Sequence, residues 1–285
     1  MKFIKPSQFY VNPRDIALIM FFSMVALPRN YLYAQNASLI NTPNLMNNTA
    51  GEINEFNIFH IVSNPANLNS LKKFNIGVYG ERKFNLVELS NYIIVSGFSF
   101  GKIKMGLLVQ KSGSTKFNQH SLGVCLSKEI GDNTSLAIQS KLLRNNISKH
   151  LNQNYISAEI GLQTKLSKVI RLGVKVDNYM SFNKQTILDN AYFINISTGV
   201  FYQISKQLSM NINCFKTSNS SAFFSGNMKY QVHKNFTMKL GLVSNTNATI
   251  VDISYSGKKM NLTLIMSFHP ILGITPATSI STVND

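Results

Sequence analysis

The chain has 285 residues, of which 44% are hydrophobic and only 14% are charged, and its formal net charge is +16. A typical soluble protein is about a quarter charged, so this composition disfavours a soluble domain. The excess of lysine and arginine suggests nucleic-acid binding, but these residues are spread over predicted turns and strand faces. Because a nucleic-acid site needs a clustered basic patch, we predict no nucleic-acid partner.

Residues 1–34 have the form of a cleaved signal peptide. Lys2 and Lys5 give it a basic start, the apolar run 16–27 follows, and Ala34 precedes the predicted cleavage site. A retained membrane helix is the alternative, but crossing a bilayer takes about 20 apolar residues. The sequence therefore predicts a protein that is exported through a cleaved signal peptide.

Residues 35–72 form the next unit, in which no regular alternation is visible. The turn Asn64, Pro65 and Ala66 interrupts it, because proline cannot donate a hydrogen bond to a sheet and biases the preceding residue away from helix. A long irregular segment of this kind is either a periplasmic tail or a plug inside a barrel. Its apolar residues favour a buried hatch, with Asn64, Pro65 and Ala66 as its turn motif.

Residues 73–280 alternate between apolar and polar side chains, and residues 281–285 are left as a tail. The clearest stretch is 155–166, where Ile160 lies on the apolar face and Gln163 on the polar face. Strands with two different faces, about 9–13 residues long, are typical of outer-membrane barrels. We predict an all-β, antiparallel up-and-down transmembrane barrel of about 12–14 strands. An arginine should then be tolerated at Gln163 but not at Ile160.

A soluble β-sandwich or barrel is the alternative, because its strands alternate in the same way. Three features count against it. A soluble all-β core rarely exceeds about 250 residues without splitting into domains. The charged fraction is low, and the sequence after residue 35 lacks helical periodicity. The bacterial outer membrane is therefore the predicted location, with outer-membrane lipid and lipopolysaccharide as partners.

Several basic residues fall on the predicted inward face of the barrel. They would give the lumen and its rims a positive potential that attracts anions or acidic lipopolysaccharide. The alternative is that they are solvated residues at the barrel ends. The candidate basic lining consists of Lys104, Lys165, Arg171, Lys175 and Lys239.

The chain has no tryptophan, so aromatic belts at the membrane interfaces would be built from tyrosine and phenylalanine. Ordinary β-propensity explains aromatic residues in strands equally well. The tyrosines that lie near predicted strand ends are Tyr79, Tyr92, Tyr155, Tyr202, Tyr230 and Tyr255.

The sequence predicts neither catalysis nor a cofactor. Cys125 and Cys214 lie on different predicted strands, and the five histidines lack the short spacing of a zinc site. A nucleophile elbow of the G-x-S-x-G type is absent from the sequence. We therefore predict a non-enzymatic protein without metal or cofactor.

Three short stretches, 64–68, 78–89 and 267–276, resemble the PorV/PorQ-like outer-membrane barrels, which are associated with type IX secretion. These are relatives of the long-chain fatty-acid transporter barrels. The resemblance implies a barrel with an N-terminal hatch that acts in a secretion or surface-assembly complex. It also implies other outer-membrane or secretion-system proteins as partners. The alternative function is that of a FadL-like passive transporter of hydrophobic or anionic small molecules.

Overall fold

The computed structural model describes residues 45, 48–52, 55–147, 151–181, 193–218 and 220–283. The predicted signal peptide, 1–34, lies outside these ranges, so its cleavage stays a prediction. In the described part of the chain, no helix is both long and apolar enough to cross a membrane.

The described residues form fourteen antiparallel strands that close into one barrel. Each strand pairs with its neighbours in the chain, and β1 closes the barrel against β14. This confirms the predicted all-β, antiparallel up-and-down barrel, expected to have about 12–14 strands. The strands are β1 Phe74–Arg82, β2 Ser90–Phe100, β3 Ile103–Gly113, β4 Phe117–Ile130, β5 Thr134–Ile147, β6 Leu151–Lys165, β7 Ile170–Ser181, β8 Phe193–Gln203, β9 Leu208–Thr217, β10 Phe223–His233, β11 Phe236–Val243, β12 Ala248–Ser256, β13 Met260–His269 and β14 Gly273–Thr282.

The alternation of side chains separates an apolar outer face from a polar inner face. On β6, Ile160 points outward and is 56% exposed, whereas Gln163 points inward and is 4% exposed. The same arrangement recurs around the barrel, and it gives the outer face the apolar surface that lipid requires. Other exposed outward side chains include Ile94, Val109, Leu122, Ile138, Ile196, Ile212, Leu240, Leu264 and Ile280.

The two ends of the barrel differ in the length of their connections. At one end, the short-turn end, the connections are 101–102, 131–133, 166–169, 204–207, 234–235 and 257–259. At the other end, the long-loop end, they are 83–89, 114–116, 148–150, 182–192, 218–222, 244–247 and 270–272. Outer-membrane barrels carry short turns on the periplasmic side and longer loops outside. We therefore assign the long-loop end to the outside.

Four of the six tyrosines considered for the membrane interfaces lie on the outer face of the barrel. Those four, Tyr92, Tyr202, Tyr230 and Tyr255, point outward and are exposed. The other two were wrongly assigned. Tyr79 faces the lumen, is fully buried, and donates a hydrogen bond to Glu81 Oε2 over 2.6 Å. Tyr155 also lies on the inward face, because it shares its side of β6 with Ser157 and Glu159.

A short segment of the chain lies inside the barrel. It contains the helix α1 His60–Ser63 and the 3₁₀ helix Pro65–Ser70. Asn64 separates the two, and its Oδ1 accepts a hydrogen bond from the Ala66 main-chain N–H over 3.0 Å. Pro65 fits the first position of a helix, where an N–H is not needed. We call the described residues between 45 and 71 the inner segment.

Candidate functional site

One side of the inner segment is apolar and packs against the wall formed by β1, β2 and β3. Full burial of a large apolar side chain contributes about 1.5–3 kcal/mol, so this contact strongly favours the docked position. The inner segment contributes Ile58, Phe59, Ile61, Leu68 and Leu71, and the wall contributes Tyr79, Ile93, Val95 and Leu108. All of them are at most 2% exposed.

The predicted turn motif lies at the centre of the polar side. The Asn64 side chain is fully buried, and its Nδ2 donates to the main-chain oxygens of Thr49 at 2.9 Å and Leu162 at 3.1 Å. Pro65 and Ala66 are buried beside it. The motif thus joins two parts of the inner segment to β6, while its role in gating stays a prediction.

Sequence reasoning missed two further anchoring residues on the barrel wall. Gln163 Nε2 donates to Ala50 O and to Asn67 Oδ1, each over 2.5 Å. Asn213 Oδ1 accepts a hydrogen bond from the Thr49 main-chain N–H over 3.0 Å. The expectation that an arginine is tolerated at Gln163 is therefore wrong, because this side chain lies in a filled lumen and not in an open one.

Inward-facing glycines make room for the inner segment. A Cβ placed on Gly161 would lie 2.2 Å from Asn64 Oδ1, and one on Gly173 would lie 2.2 Å from Thr49 O. Backbone and buried side chains cannot move away from such contacts cheaply. Glycine on the polar face of a strand, away from the turns, is the sequence signal that could have located this surface. Other glycines that face the inner segment are Gly77, Gly97, Gly106 and Gly199.

Charged groups hold the inner segment on the side of β7 and β10. Lys229 Nζ lies 2.8 Å from Glu52 Oε2 and also pairs with Glu55. Arg171 Nη1 donates to the main-chain oxygen of Glu52 over 2.7 Å, and His60 Nε2 lies 3.8 Å from Glu52 Oε1. We call Glu52, His60, Arg171 and Lys229 the anchor cluster. It borders a cavity of ≈ 60 Å³ that Glu55 also lines.

The anchor cluster shifts the ionisation of the two groups that the inner segment supplies. Burial raises the pKa of the Glu52 carboxyl, but the charges of Lys229 and His60 outweigh it and bring the pKa to about 2. Burial lowers the pKa of His60 to about 4, with Lys239, Lys229 and Arg171 acting in the same direction and Glu52 opposing them. At neutral pH, Glu52 is therefore charged and His60 neutral.

We expect the docked inner segment to lose stability as the pH falls. Undocked His60 takes up a proton near pH 6.5, whereas docked His60 does so only near pH 4. The undocked state thus binds more protons in this window, which favours undocking. Glu52 adds a second loss between pH 4.5 and about 2. Hydroxyl-radical footprinting of Phe59 between pH 7 and 4 measures the change.

The matched control for this pH dependence is His60→Gln, which keeps a polar side chain without a titrating imidazole. Its footprint should stay flat between pH 6.5 and 4.5, above the range in which Glu52 takes up a proton. An equal rise in Phe59 oxidation in the wild type and in His60→Gln would contradict the assignment to His60.

The five predicted basic residues all lie on the inward side of the barrel but do not form one site. Arg171 joins the anchor cluster, Lys175 Nζ lies 4.0 Å from Asp177 Oδ2, and Lys239 pairs with Asp252. Lys104 and Lys165 lie near the short-turn end, where Lys104 Nζ donates to Ser99 Oγ over 2.5 Å. Their predicted role as a positive lining stays a prediction.

A further ion pair joins β5 and β6 on the inner face of the barrel, at a position that the sequence analysis did not single out. Lys141 Nζ lies 2.5 Å from Glu159 Oε1, and both side chains are at most 8% exposed. The described lumen therefore balances most of its inward charge internally. Within the described ranges, no three histidine, cysteine or acidic side chains are grouped as a metal site. Cys125 and Cys214 are free thiols.

A scan against family models found no match, and neither did a search of the curated proteins. Solved structures do match. The chain is similar to a deltaS2S3 mutant of the TodX monoaromatic hydrocarbon channel, with a TM-score of 0.57, 8% identity and coverage of 80% of this chain and 95% of that chain. It is similar to the Pseudomonas putida toluene transporter TodX, with a TM-score of 0.52, 9% identity and coverage of 79% and 91%.

It is also similar to a Pseudomonas aeruginosa FadL homologue, with a TM-score of 0.52, 10% identity and coverage of 84% of this chain and 97% of that chain. At these identities the likeness concerns the fold, and the exposed apolar outer face agrees with the outer-membrane location predicted from the sequence. The finer resemblance to the PorV/PorQ-like family stays a prediction. The chain therefore has the fold of the bacterial outer-membrane barrels.

Proposed function

We propose that this protein is a passive transporter of small hydrophobic molecules across the outer membrane, with the inner segment as its hatch. The observation that carries the proposal is the apolar contact between the inner segment and β1, β2 and β3. Displacing the inner segment would expose Ile93, Val95 and Leu108, which are now at most 2% exposed. A hydrophobic solute would then find an apolar surface inside the barrel.

The charges of the lumen support a hydrophobic solute over an anionic one. Lys141, Lys175 and Lys239 each have an acidic neighbour within ion-pair distance, so these three charges are largely neutralised and are poorly suited to select an anion. One structural neighbour, TodX, is described both as a monoaromatic hydrocarbon channel and as a toluene transporter, which is the same class of solute.

Apolar packing and separate polar contacts both favour the docked position of the inner segment, so the proposed hatch is closed in the resting protein. A solute that binds the wall only when the inner segment is displaced shifts the population toward the open state by its difference in affinity. Partly exposed pairs, such as Lys229 with Glu52, can regain water on opening. Transport would thus be coupled to solute binding without an energy source.

A reversible lock tests the proposal. A Cβ on Gly199 would lie 3.0 Å from the Cβ of Thr49, which is shorter than the separation of about 3.5–4.5 Å found in disulfides, and 2.5 Å from Asn213 Oδ1, so a disulfide here needs a small outward shift of Thr49 and of the Asn213 side chain. Thr49→Cys and Gly199→Cys are combined after Cys125 and Cys214 are replaced by alanine. Entry of toluene and glutamate is then measured before and after reduction in vesicles with an outer leaflet of lipopolysaccharide, and the entry into protein-free vesicles is subtracted. The two single-cysteine variants are the matched controls, and Gly199→Cys alone measures the entry that crowding at Asn213 causes without a disulfide.

We expect the oxidised variant to block toluene entry and the reduced variant to restore it. Equal entry before and after reduction would contradict the hatch, and entry of glutamate alone would contradict the solute class. If neither solute enters and a stoichiometric polypeptide stays bound to the purified barrel, the second candidate function is favoured. This is a component of a PorV/PorQ-like secretion or surface-assembly complex, which the resemblance in 64–68 and the filled lumen also support.

A further inference from the structure

Three basic side chains form a row on the outer face of the barrel. Lys111 on β3 pairs in register with His120 on β4, and His120 pairs with Arg144 on β5. All three are exposed and lie on the side of their strands that carries the apolar residues. We call Lys111, His120 and Arg144 the cationic row. It faces the membrane surface and not the lumen.

The depth of the cationic row is fixed by its apolar neighbours. Two residues closer to the barrel centre, on the same three strands, lie Val109, Leu122 and Leu142, which are 47%, 51% and 54% exposed. Two strand residues span about 7 Å, so the row lies just beyond the edge of the apolar surface. That is the depth of the lipid headgroups, at the long-loop end that we assign to the outside.

Neighbouring amides hold the arginine of the row in place. Arg144 Nε donates to Asn146 Oδ1 over 3.1 Å, and Asn146 Nδ2 donates to Asn118 Oδ1 over 2.8 Å. In the part of the chain that the structure describes, no acidic side chain forms an ion pair with any member of the row. Arg144 is therefore held in place at headgroup depth, and among the described residues the row has no acidic counter-ion.

The chemistry of the row fits phosphate. A guanidinium binds two phosphate oxygens at once, a lysine ammonium supplies a point charge, and an imidazole N–H donates whether or not the ring is charged. Neighbouring strands lie about 4.8 Å apart, so the three side chains start within about 10 Å of one another. One headgroup that carries two phosphates can reach the whole row. Tyr92, directly opposite Lys111 on β2, adds an aromatic ring at the same depth.

We propose that the cationic row is a binding site for lipopolysaccharide in the outer leaflet, through the phosphate groups of its lipid A. The source is this lipid and not a periplasmic-leaflet phospholipid, because the row lies at the long-loop end. The proposal depends on the barrel and its orientation. It is independent of the transport function.

The test compares two triple variants, each of which removes one histidine and two permanently charged basic side chains. Lys111→Gln, His120→Gln and Arg144→Gln remove the row, and Lys102→Gln, Lys168→Gln and His233→Gln remove exposed residues near the short-turn end. Binding of diphosphoryl lipid A to each detergent-solubilised barrel is titrated by native mass spectrometry. Monophosphoryl lipid A, phosphatidylglycerol and inorganic phosphate are the comparison ligands.

We expect the row variant to bind diphosphoryl lipid A at least about tenfold more weakly, because each basic residue near an anionic surface contributes about 1 kcal/mol. The control should bind like the wild type, and phosphatidylglycerol and inorganic phosphate should compete weakly. Equal affinity of the row variant, an equal loss in the control, or full competition by inorganic phosphate would overturn the proposal. Arg144→Lys keeps the charge but loses the bidentate contact, so its affinity for diphosphoryl lipid A should lie between the affinities of the wild type and the row variant. If the triple variant does not fold, Arg144→Lys tests the proposal in its place.

Discussion

Lys229→Met should release the inner segment and increase the entry of solute in the resting protein. The substitution leaves the Glu52 carboxylate largely buried and without its nearest cation. Breaking a fully buried pair costs about 3–5 kcal/mol. Lys229 and Glu52 are 18% and 14% exposed, so we expect a loss on the order of 2–3 kcal/mol. This is about a 30- to 150-fold shift toward the undocked state, measured by Phe59 footprinting and by toluene entry into lipopolysaccharide-containing vesicles after subtraction of entry into protein-free vesicles.

The matched control for this substitution is Lys206→Met. Lys206 lines the same cavity as Lys229 but is exposed in the β8–β9 turn, so its loss should leave the footprint unchanged. A second variant, Lys229→Met with Glu52→Gln, removes the stranded charge and should recover part of the docked population. If Phe59 is as protected from oxidation in Lys229→Met as in the wild type, the anchor cluster does not hold the inner segment.

The barrel could be predicted from the sequence because its outer face depends only on the alternation of neighbouring residues within each strand. Every second residue of a membrane strand faces lipid, so the position of Ile160 follows from a pattern that twelve residues contain. The inward-facing glycines, Asn64 and Gln163 are also visible in the sequence. Their role as contacts of the inner segment can be recognised only once it is known that a segment fills the lumen. Whether a segment fills it depends on contacts such as Asn64 with Leu162, which are 98 residues apart in the chain.

The ion pairs of the lumen show a similar limit to prediction from the sequence. Lys175 and Asp177 are two residues apart on one strand face, so their proximity was visible in the sequence. Lys239 and Asp252 meet because β11 and β12 pair in one particular register. A one-residue change of register would separate them, and the sequence of a single chain does not fix the register. Counting basic residues on inward faces therefore leaves out the acidic partners that only the strand register brings beside them.

Ile160→Arg should be the most damaging single change on the outer face. Ile160 lies near the middle of β6, points outward and is 56% exposed, so an arginine there meets the centre of the bilayer. Such a substitution costs about 2–4 kcal/mol at the midplane of a membrane barrel and about 0–1 kcal/mol near its interfaces. Urea unfolding of the barrel in lipid vesicles measures the difference.

Leu166→Arg is the control for this prediction, because Leu166 is also exposed but directly follows the last residue of β6, at the short-turn end. The two variants place the same charge on the same outward side, in the middle of β6 and just beyond its end. A large loss for Ile160→Arg with a small loss for Leu166→Arg would show that the outer face of β6 crosses the hydrocarbon core. Equal losses would contradict the depth assignment, and with it the headgroup position of the cationic row, which is counted from the same apolar surface.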